Sequence, residues 1–303
     1  MTNMKIRNLL IGVVLAAICA TSLTACSSSK ADVPASGTST SESSTASETE
    51  SNAEKDLSGN IGEVRIAPGD LVAEIEIEGY GTMKAKLFPD IAPIGVENFK
   101  QLAEKGYYDG KNIHRVISDF MMQGGSENGD GTGGEPAYTG EGNTASYFGT
   151  EINRNARHVY GALCYANAAG RNSTQFYIVN NKVSQDISDL DITQAEKNVE
   201  AAKAYKEQYT AGSDEYNYYE YLEKEYGAVV DWFKSPTHEE VVKYKDGGVF
   251  YLDGGYTVFG QVVEGFDVID NIAAVEVQEN SNGEKSQPVS DIIIKSVKVY
   301  TAE

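Results

Sequence analysis

Between Ile113 and Gly125 the chain reads IHRVISDFMMQGG, and residue types capable of chemistry crowd together there. The alternating apolar run has the pattern of buried strand. Arg115 stands in that run although a guanidinium cannot shed its charge and must find acceptors. With Phe120, Met121 and Gln123 on the same short strand pair, it points to a small apolar pocket with a cation at its lip. The plainer alternative is an edge strand whose arginine reaches out to water. Other chemistries lack parts. The histidines are His114, His158 and His238, and His238-Glu239-Glu240 is not the H-E-x-x-H zinc spacing. No Cys/His cluster accompanies it, so neither a metal nor a cofactor is expected. No serine elbow or Cys–His pair suggests a hydrolase. His114 points to the strand face opposite Arg115 and is expected to be a hydrogen-bonded core histidine.

The elements that must position these residues are mostly strands. Ala73–Glu78 and Met83–Phe88 alternate on either side of Gly79-Tyr80-Gly81, a hairpin. Pro93 sits where a first helical turn tolerates it, Val96, Phe99, Leu102 and Ala103 follow at helical spacing, and Gly106 stops the helix. Gly161–Ala168, Gln175–Val179, Tyr256–Val263 and Asp291–Tyr300 read as further strands, with a short helix over Phe266–Ala273. Gly129–Gly134 is a loop, and Pro136 follows it with no periodic helix, so a phosphate-cradling reading fails its context. Many strands, few helices and no βαβ alternation favour a closed antiparallel barrel capped by helices. Residues 184–247 break the pattern. Two runs at helical spacing flank Gly212-Ser213, and Thr237–Glu240 has the form of a capping box, so a helical hairpin inserted into the β domain is expected.

The 303-residue chain carries a formal net charge of −20, with no basic stripe beyond its N-terminus. That argues against nucleic acid as a partner, since phosphate binding needs clustered Lys and Arg. Residues 1–25 read as a targeting segment: Lys5 and Arg7, then an apolar core over Leu9–Ala20 that is short for a membrane span. Leu23-Thr24-Ala25-Cys26 resembles a bacterial lipobox, which implies lipid on Cys26 and attachment to the outer side of the cell membrane. Residues 26–62, rich in Ser and Thr, are expected to form a disordered tether. The folded domain then spans 63–303 and retains one cysteine, Cys164, in an apolar run that suits a buried inert thiol.

Five motifs occur in order along the domain: Leu87-Phe88 and Pro93 with Glu97-Asn98-Phe99; His114-Arg115 with Phe120-Met121-x-Gln123-Gly124-Gly125; Gly131-Thr132-Gly133-Gly134; Ala166-Asn167-Ala168 with Gln175-Phe176; and Leu252-Asp253-Gly254 with Val258-Phe259-Gly260. From about Leu71 to Tyr300, the insert excepted, the set resembles a cyclophilin-type peptidyl-prolyl cis-trans isomerase. The resemblance implies an eight-stranded closed antiparallel barrel capped by two helices, with the site on its outer face. It implies Arg115 as the catalytic cation and Phe120, Met121, Leu252 and Tyr177 as the lining of a proline pocket. Gln123, Asn167 and Gln175 would hold the substrate backbone, and Ala166 would flank it. Tyr177 stands where the family usually has Phe, which puts a hydroxyl at the pocket. Tyr251 and Tyr256 stand where the best-known members have Trp and His. The first departure bears on cyclosporin binding more than on catalysis; the second removes an imidazole whose role does not pass to Tyr256. The implied partners are proline-containing segments of exported proteins, with a monomer as the expected state. The rival reading is a module that grips such segments with little turnover. The insert, placed between Val179 and Leu252, is expected to emerge near the site.

Overall fold

A computed structural model describes residues 64–303. The signal segment 1–25, the tether 26–62 and the lipidation expected at Cys26 lie outside the described residues.

The chain opens with the expected hairpin, β1 (Leu71–Ile77) and β2 (Gly81–Leu87), paired antiparallel. Helix α1 (Pro93–Glu104) follows. Its N-cap, Ala92, has no capping side chain. Glu151 supplies the missing acceptor from far along the chain, taking the main-chain N–H of Ile94 at 3.0 Å and of Gly95 at 2.8 Å. Val96, Phe99, Leu102 and Ala103 form the buried face, as their spacing predicts. Strands β3 (Ile113–Ile117) and β4 (Met121–Gly124) come next, then β5 (Ala162–Ala168) and β6 (Arg171–Val179). The insert contributes α2 (Thr193–Lys206), α3 (Asp214–Phe233) and α4 (His238–Lys243). Thr237 closes a complete capping box with Glu240 at the start of α4, and His238 is exposed there. The chain ends with β7 (Val258–Glu264), α5 (Phe266–Ala273), a small hairpin of β8 (Val277–Glu279) and β9 (Lys285–Pro288), and β10 (Ile294–Thr301). The β8–β9 hairpin is absent from the sequence reading, because Val277–Pro288 is mostly polar and lacks strand alternation.

Eight strands form one sheet in the order β10-β1-β2-β7-β5-β6-β4-β3, every neighbouring pair antiparallel. The sheet curls until its edges approach, but the continuous ladder of a closed barrel does not form. The edges meet at one bridge, Asn112–Ile293, with main-chain bonds from Ile113 N–H to Ile292 O (2.8 Å) and from Ile294 N–H to Lys111 O (2.7 Å). Further along, β3 lies beside β9 without pairing to it. The fold is thus mainly β, a curled eight-stranded sheet with α1 and α5 packed against it and the helical insert to one side.

The interior of the curl holds the main core. Phe99 is fully buried, with ring centres of Tyr108, Phe176 and Phe259 at 5.0, 5.7 and 5.1 Å. Asn98 beside it has no spare capacity. Its amide donates to Tyr165 Oη and Ser173 O, and its carbonyl accepts from the N–H of Ala137 and Tyr138. That ties α1 to the loop beginning at Gly131. Gly134 in this loop has φ +108°, and a Cβ there would lie 2.2 Å from Thr174 Oγ1, so only glycine fits. Phe99→Ala, which removes the ring that joins helix to sheet, is expected to lower unfolding free energy by about 3–5 kcal/mol in urea titration.

Candidate active site

Arg115 is placed by a fault in its strand. The β3–β4 register shifts between Ile113 and Arg115, so strict alternation fails there. Beyond the shift Arg115 opposes Gln123, Val116 opposes Met122, and Ile117 opposes Met121. Val116 and Met122 enter the core, while Arg115, Gln123 and Met121 face the other way into a pocket of about 290 Å³. Phe120, Ala166, Asn167, Tyr177 and Leu252 complete the expected wall, and Tyr256 and Glu284 join it. Arg115 Nη1 lies 3.4 Å from Gln123 Oε1 and 3.6 Å from Met121 Sδ, and the guanidinium carbon is 5.8 Å from the centre of the Phe120 ring. A cation thus stands over an apolar floor.

Of the expected site residues, Gln175 alone is not on the wall. It stands behind Gln123, accepting that amide's N–H at 3.0 Å and donating to Gly131 O at 2.9 Å. It links Gln123 to the glycine loop. Asn167 is on the wall, but its side chain is engaged internally: Nδ2 donates to Gly255 O and Oδ1 accepts from Gly170 N–H, both at 3.0 Å. Ala166 and Asn167 line the pocket beyond the end of the β5–β7 ladder, which stops at Cys164 opposite Val258. His114 is half-buried rather than core. Burial first, then the neighbouring Arg115 charge, pushes its imidazole down to about 4, so it is neutral at pH 7, with Nδ1 3.4 Å from Ser126 Oγ. Cys164 is fully buried and burial pushes its thiol well up, an inert group.

The hydroxyl expected at the pocket from Tyr177 is turned away from it. Only the ring lines the cavity; Oη lies 2.9 Å from His158 Nε2 in the interior. His158 Nδ1 is 2.8 Å from Asp253 Oδ1, which also accepts the His158 main-chain N–H at 3.0 Å. Against the ionised Asp253, Nδ1–H is the donor, and Nε2 shares its hydrogen bond with the Tyr177 hydroxyl. Asp253 Oδ2 takes Arg157 Nη1 at 3.0 Å and the hydroxyl of Tyr244. Burial pushes the Asp253 carboxyl up, but Arg157, His158 and Tyr244 outweigh it and hold it below its ordinary 3.8. Arg157 reaches Glu240 with Nη2, and Arg154 meets Glu240 with two bonds of 2.6 and 2.9 Å. Burial alone would raise Glu240, yet Arg154, the Thr237 N–H and Arg157 bring it down to about 2. Trp232 covers the Arg157 guanidinium at 4.7 Å. The insert is therefore wired to the pocket wall through buried charge.

The insert also touches the wall directly. Tyr221 on α3 donates to Gly255 O at 3.0 Å, the carbonyl that Asn167 also uses. The neighbouring Gly254 has φ +86°, and a Cβ there would lie 2.9 Å from Ala228 Cβ and 3.3 Å from Glu225 O, so the helix approaches closely because that residue is glycine. Burial pushes Glu225 up to about 7, and burial, then the Glu225 charge, raises the Tyr256 phenol to about 12.

Sequence reasoning did not find Glu284 or the His158–Asp253–Arg157–Glu240 chain. Asp253 stood inside a matched motif, but nothing local showed what it binds. Glu284 lies in a polar turn with no apolar signal.

The cyclophilin type peptidyl-prolyl cis-trans isomerase family model matches residues 72–210 and 243–299. A Staphylococcus haemolyticus protein named "Putative peptidyl-prolyl cis-trans isomerase" is 36% identical over 220 residues, 72% of this chain and 86% of its own. A Staphylococcus aureus protein of the same name is 34% identical, covering 72% and 87%. The crystal structure of a Cryptosporidium parvum cyclophilin type peptidyl-prolyl cis-trans isomerase aligns over 77% of this chain and 99% of its own, at 20% identity and a TM-score of 0.49.

Asp253→Ala leaves the buried Arg157 with one carboxylate and His158 Nδ1 with none. It is expected to cost about 3–5 kcal/mol in chemical denaturation. Because the folded carboxyl sits below its ordinary value, wild-type stability from this group is present above pH 3.8 and is lost as pH falls through the lowered value. Acid titration followed by circular dichroism should show this wild-type loss and not show it in the variant.

Proposed function

The chain belongs to the cyclophilin-type peptidyl-prolyl cis-trans isomerase family, and from that premise we propose that Arg115 and the pocket beneath it isomerise X–Pro bonds in exported proteins at the outer face of the cell membrane. The observation that carries the reading is one cavity holding Arg115 with Phe120, Met121 and Leu252.

The chemistry needs few parts. Amide resonance sets a rotation barrier of about 18–20 kcal/mol. In the planar ground state the prolyl nitrogen has given its lone pair to the carbonyl. In the twisted transition state that pair is localised and accepts a hydrogen bond. A donor aimed at it binds the transition state better than either isomer, which is the condition for catalysis. Arg115 Nη1 is that donor. Phe120, Met121, Leu252 and the Tyr177 ring hold the pyrrolidine, while Gln123 and the wall at Ala166–Asn167 grip the flanking peptide. One side then turns against the other, with no nucleophile or proton transfer.

Location rests on the sequence. The lipobox-like Leu23-Thr24-Ala25-Cys26 and the Ser-rich run after it support a lipid on Cys26 and a flexible tether. Among the described residues no helix is long and apolar enough to cross a membrane. Uncatalysed X–Pro isomerisation takes about tens to hundreds of seconds, slow enough to limit refolding of exported chains. The protein acts as a monomer in this reading.

Two measurements test it. In a coupled assay on a short X–Pro peptide, Arg115→Ala should lower kcat about 10²–10³-fold. Equal slow turnover by wild type and variant would instead favour a module that only grips proline segments. After cell fractionation the wild type should sediment with membranes and Cys26→Ser should not. Wild type in the soluble fraction would refute the anchor.

A further inference from the structure

Glu284 comes from an element no motif announced. It sits in the turn between β8 and β9, and its main-chain N–H donates to Asn280 Oδ1 at 3.0 Å. Asn280 Nδ2 reaches Ser286 Oγ at 3.2 Å, so the turn is braced from both sides. The Glu284 carboxylate meets Arg115 with both oxygens: Nε–H to Oε2 at 2.6 Å and Nη2–H to Oε1 at 2.8 Å. Two parallel bonds in one plane fix the direction of a guanidinium as well as its position. The nitrogen left over is Nη1, and its protein contacts are the long ones to Gln123 Oε1 and Met121 Sδ.

We propose that Glu284 is a positioning residue for the isomerase reaction: it grips the far edge of the Arg115 guanidinium so that Nη1 is aimed into the pocket with its N–H bonds little claimed. The inference rests on reading Arg115 as the donor to the prolyl nitrogen.

A carboxylate beside a catalytic cation has two opposed effects. It fixes the cation, and it reduces the positive field felt by a substrate. Magnitudes decide between them. The Arg115 side chain is 27% exposed and that of Glu284 41%, so solvent screens the loss of field. Orientation is less forgiving, because a misplacement of about 1 Å at a reacting group can cost about 10²-fold. An arginine at a pocket rim with several rotatable bonds and no anchor would sample many such misplacements. The Arg115 bond, then a bond from Ser286 and the Arg115 charge, hold the Glu284 carboxyl below the ordinary glutamate range despite partial burial, so it is ionised at neutral pH.

The test is a double-mutant cycle on kcat and KM, with a short X–Pro peptide as substrate. Glu284→Ala should lower kcat about tenfold with KM within about twofold, the pattern of a group felt mainly in the transition state. Glu284→Gln, which keeps one accepting oxygen, should fall between it and wild type. In an Arg115→Ala background, Glu284→Ala should change nothing, because there is no guanidinium left to hold. If Arg115→Ala disables the enzyme but Glu284→Ala leaves turnover at the wild-type level, the positioning role is wrong. The same follows if Glu284→Ala lowers kcat by one factor in both backgrounds, since a general structural effect would do that. If Arg115→Ala itself retains full turnover, both the donor assignment and this inference fall together.

Discussion

An arginine does not give up its proton when it leaves water, so a fold that half-buries or buries one must answer it with acceptors. Among the described residues this holds for Arg115, Arg154 and Arg157, and the first and last of these bear on the pocket. Arg115 stands at the pocket rim and meets Glu284 alone with paired bonds. Arg157 has a fully buried side chain and meets Asp253 and Glu240, with aromatic rings of α3 over its face. The first answer leaves one nitrogen open toward the cavity. The second leaves only Nε unpaired and serves to lock elements together. Each guanidinium has two nitrogens held by carboxylates; what differs is where the third lies, at the cavity for Arg115 Nη1 and in the interior for Arg157 Nε.

The buried answer also explains an irregularity in the pocket. A tyrosine at position 177 brings a hydroxyl into an apolar wall, where an unpaired polar atom would cost about 1–3 kcal/mol. The structure resolves this by placing His158 behind the ring, and His158 is oriented in turn by Asp253. The pocket keeps an aromatic surface, and the hydroxyl becomes the end of a polar chain that runs back to α4. The tyrosine is therefore matched to its own surroundings, which the residue type alone could not disclose.

What the sequence disclosed follows a physical divide. The strand pair around Arg115 was legible because its pattern is local: alternation over a few residues sets the faces, and β4 follows β3 within a few positions. Helix α1, the β1–β2 hairpin and the capping box at Thr237 were legible for the same reason. The chain from Tyr177 to Glu240 was not. Its links join residues far apart in sequence, between side chains whose types are common on surfaces, so no period or spacing marks them. Glu284 lies 169 positions from Arg115 in a polar turn that reads as any solvent-facing loop. The bulge at Ile113–Arg115 was also hidden, since strict alternation predicts faces that a one-residue slip reverses. The same polar run hid β8 and β9, the hairpin beside which the sheet stays open.

The insert shows why the pocket wall tolerates more than fifty extra residues beside it. Its two ends are closed by the parent fold before the helices begin to matter. Asn181 Nδ2 donates to Gly248 O at 2.8 Å, Gln185 N–H to Tyr244 O at 2.8 Å, and Val249 N–H to His158 O at 2.7 Å. Once the ends are pinned, lengthening the loop between them adds little further entropy, since closure cost grows only with the logarithm of length. What the added residues gain is a second side to the wall. Tyr221 and Glu225 press on Gly255, and Glu240 completes the charge balance of Arg157. Leu252 lies in the 3₁₀ turn Phe250–Leu252, between the pinned strand end and the Asp253–Gly255 segment on which α3 rests. The floor of the pocket is thereby held by contacts from the barrel-like sheet on one side and from the insert on the other. On this reading the insert belongs to the frame of the site, and its helices are fixed to the same buried charges that orient the pocket's own side chains.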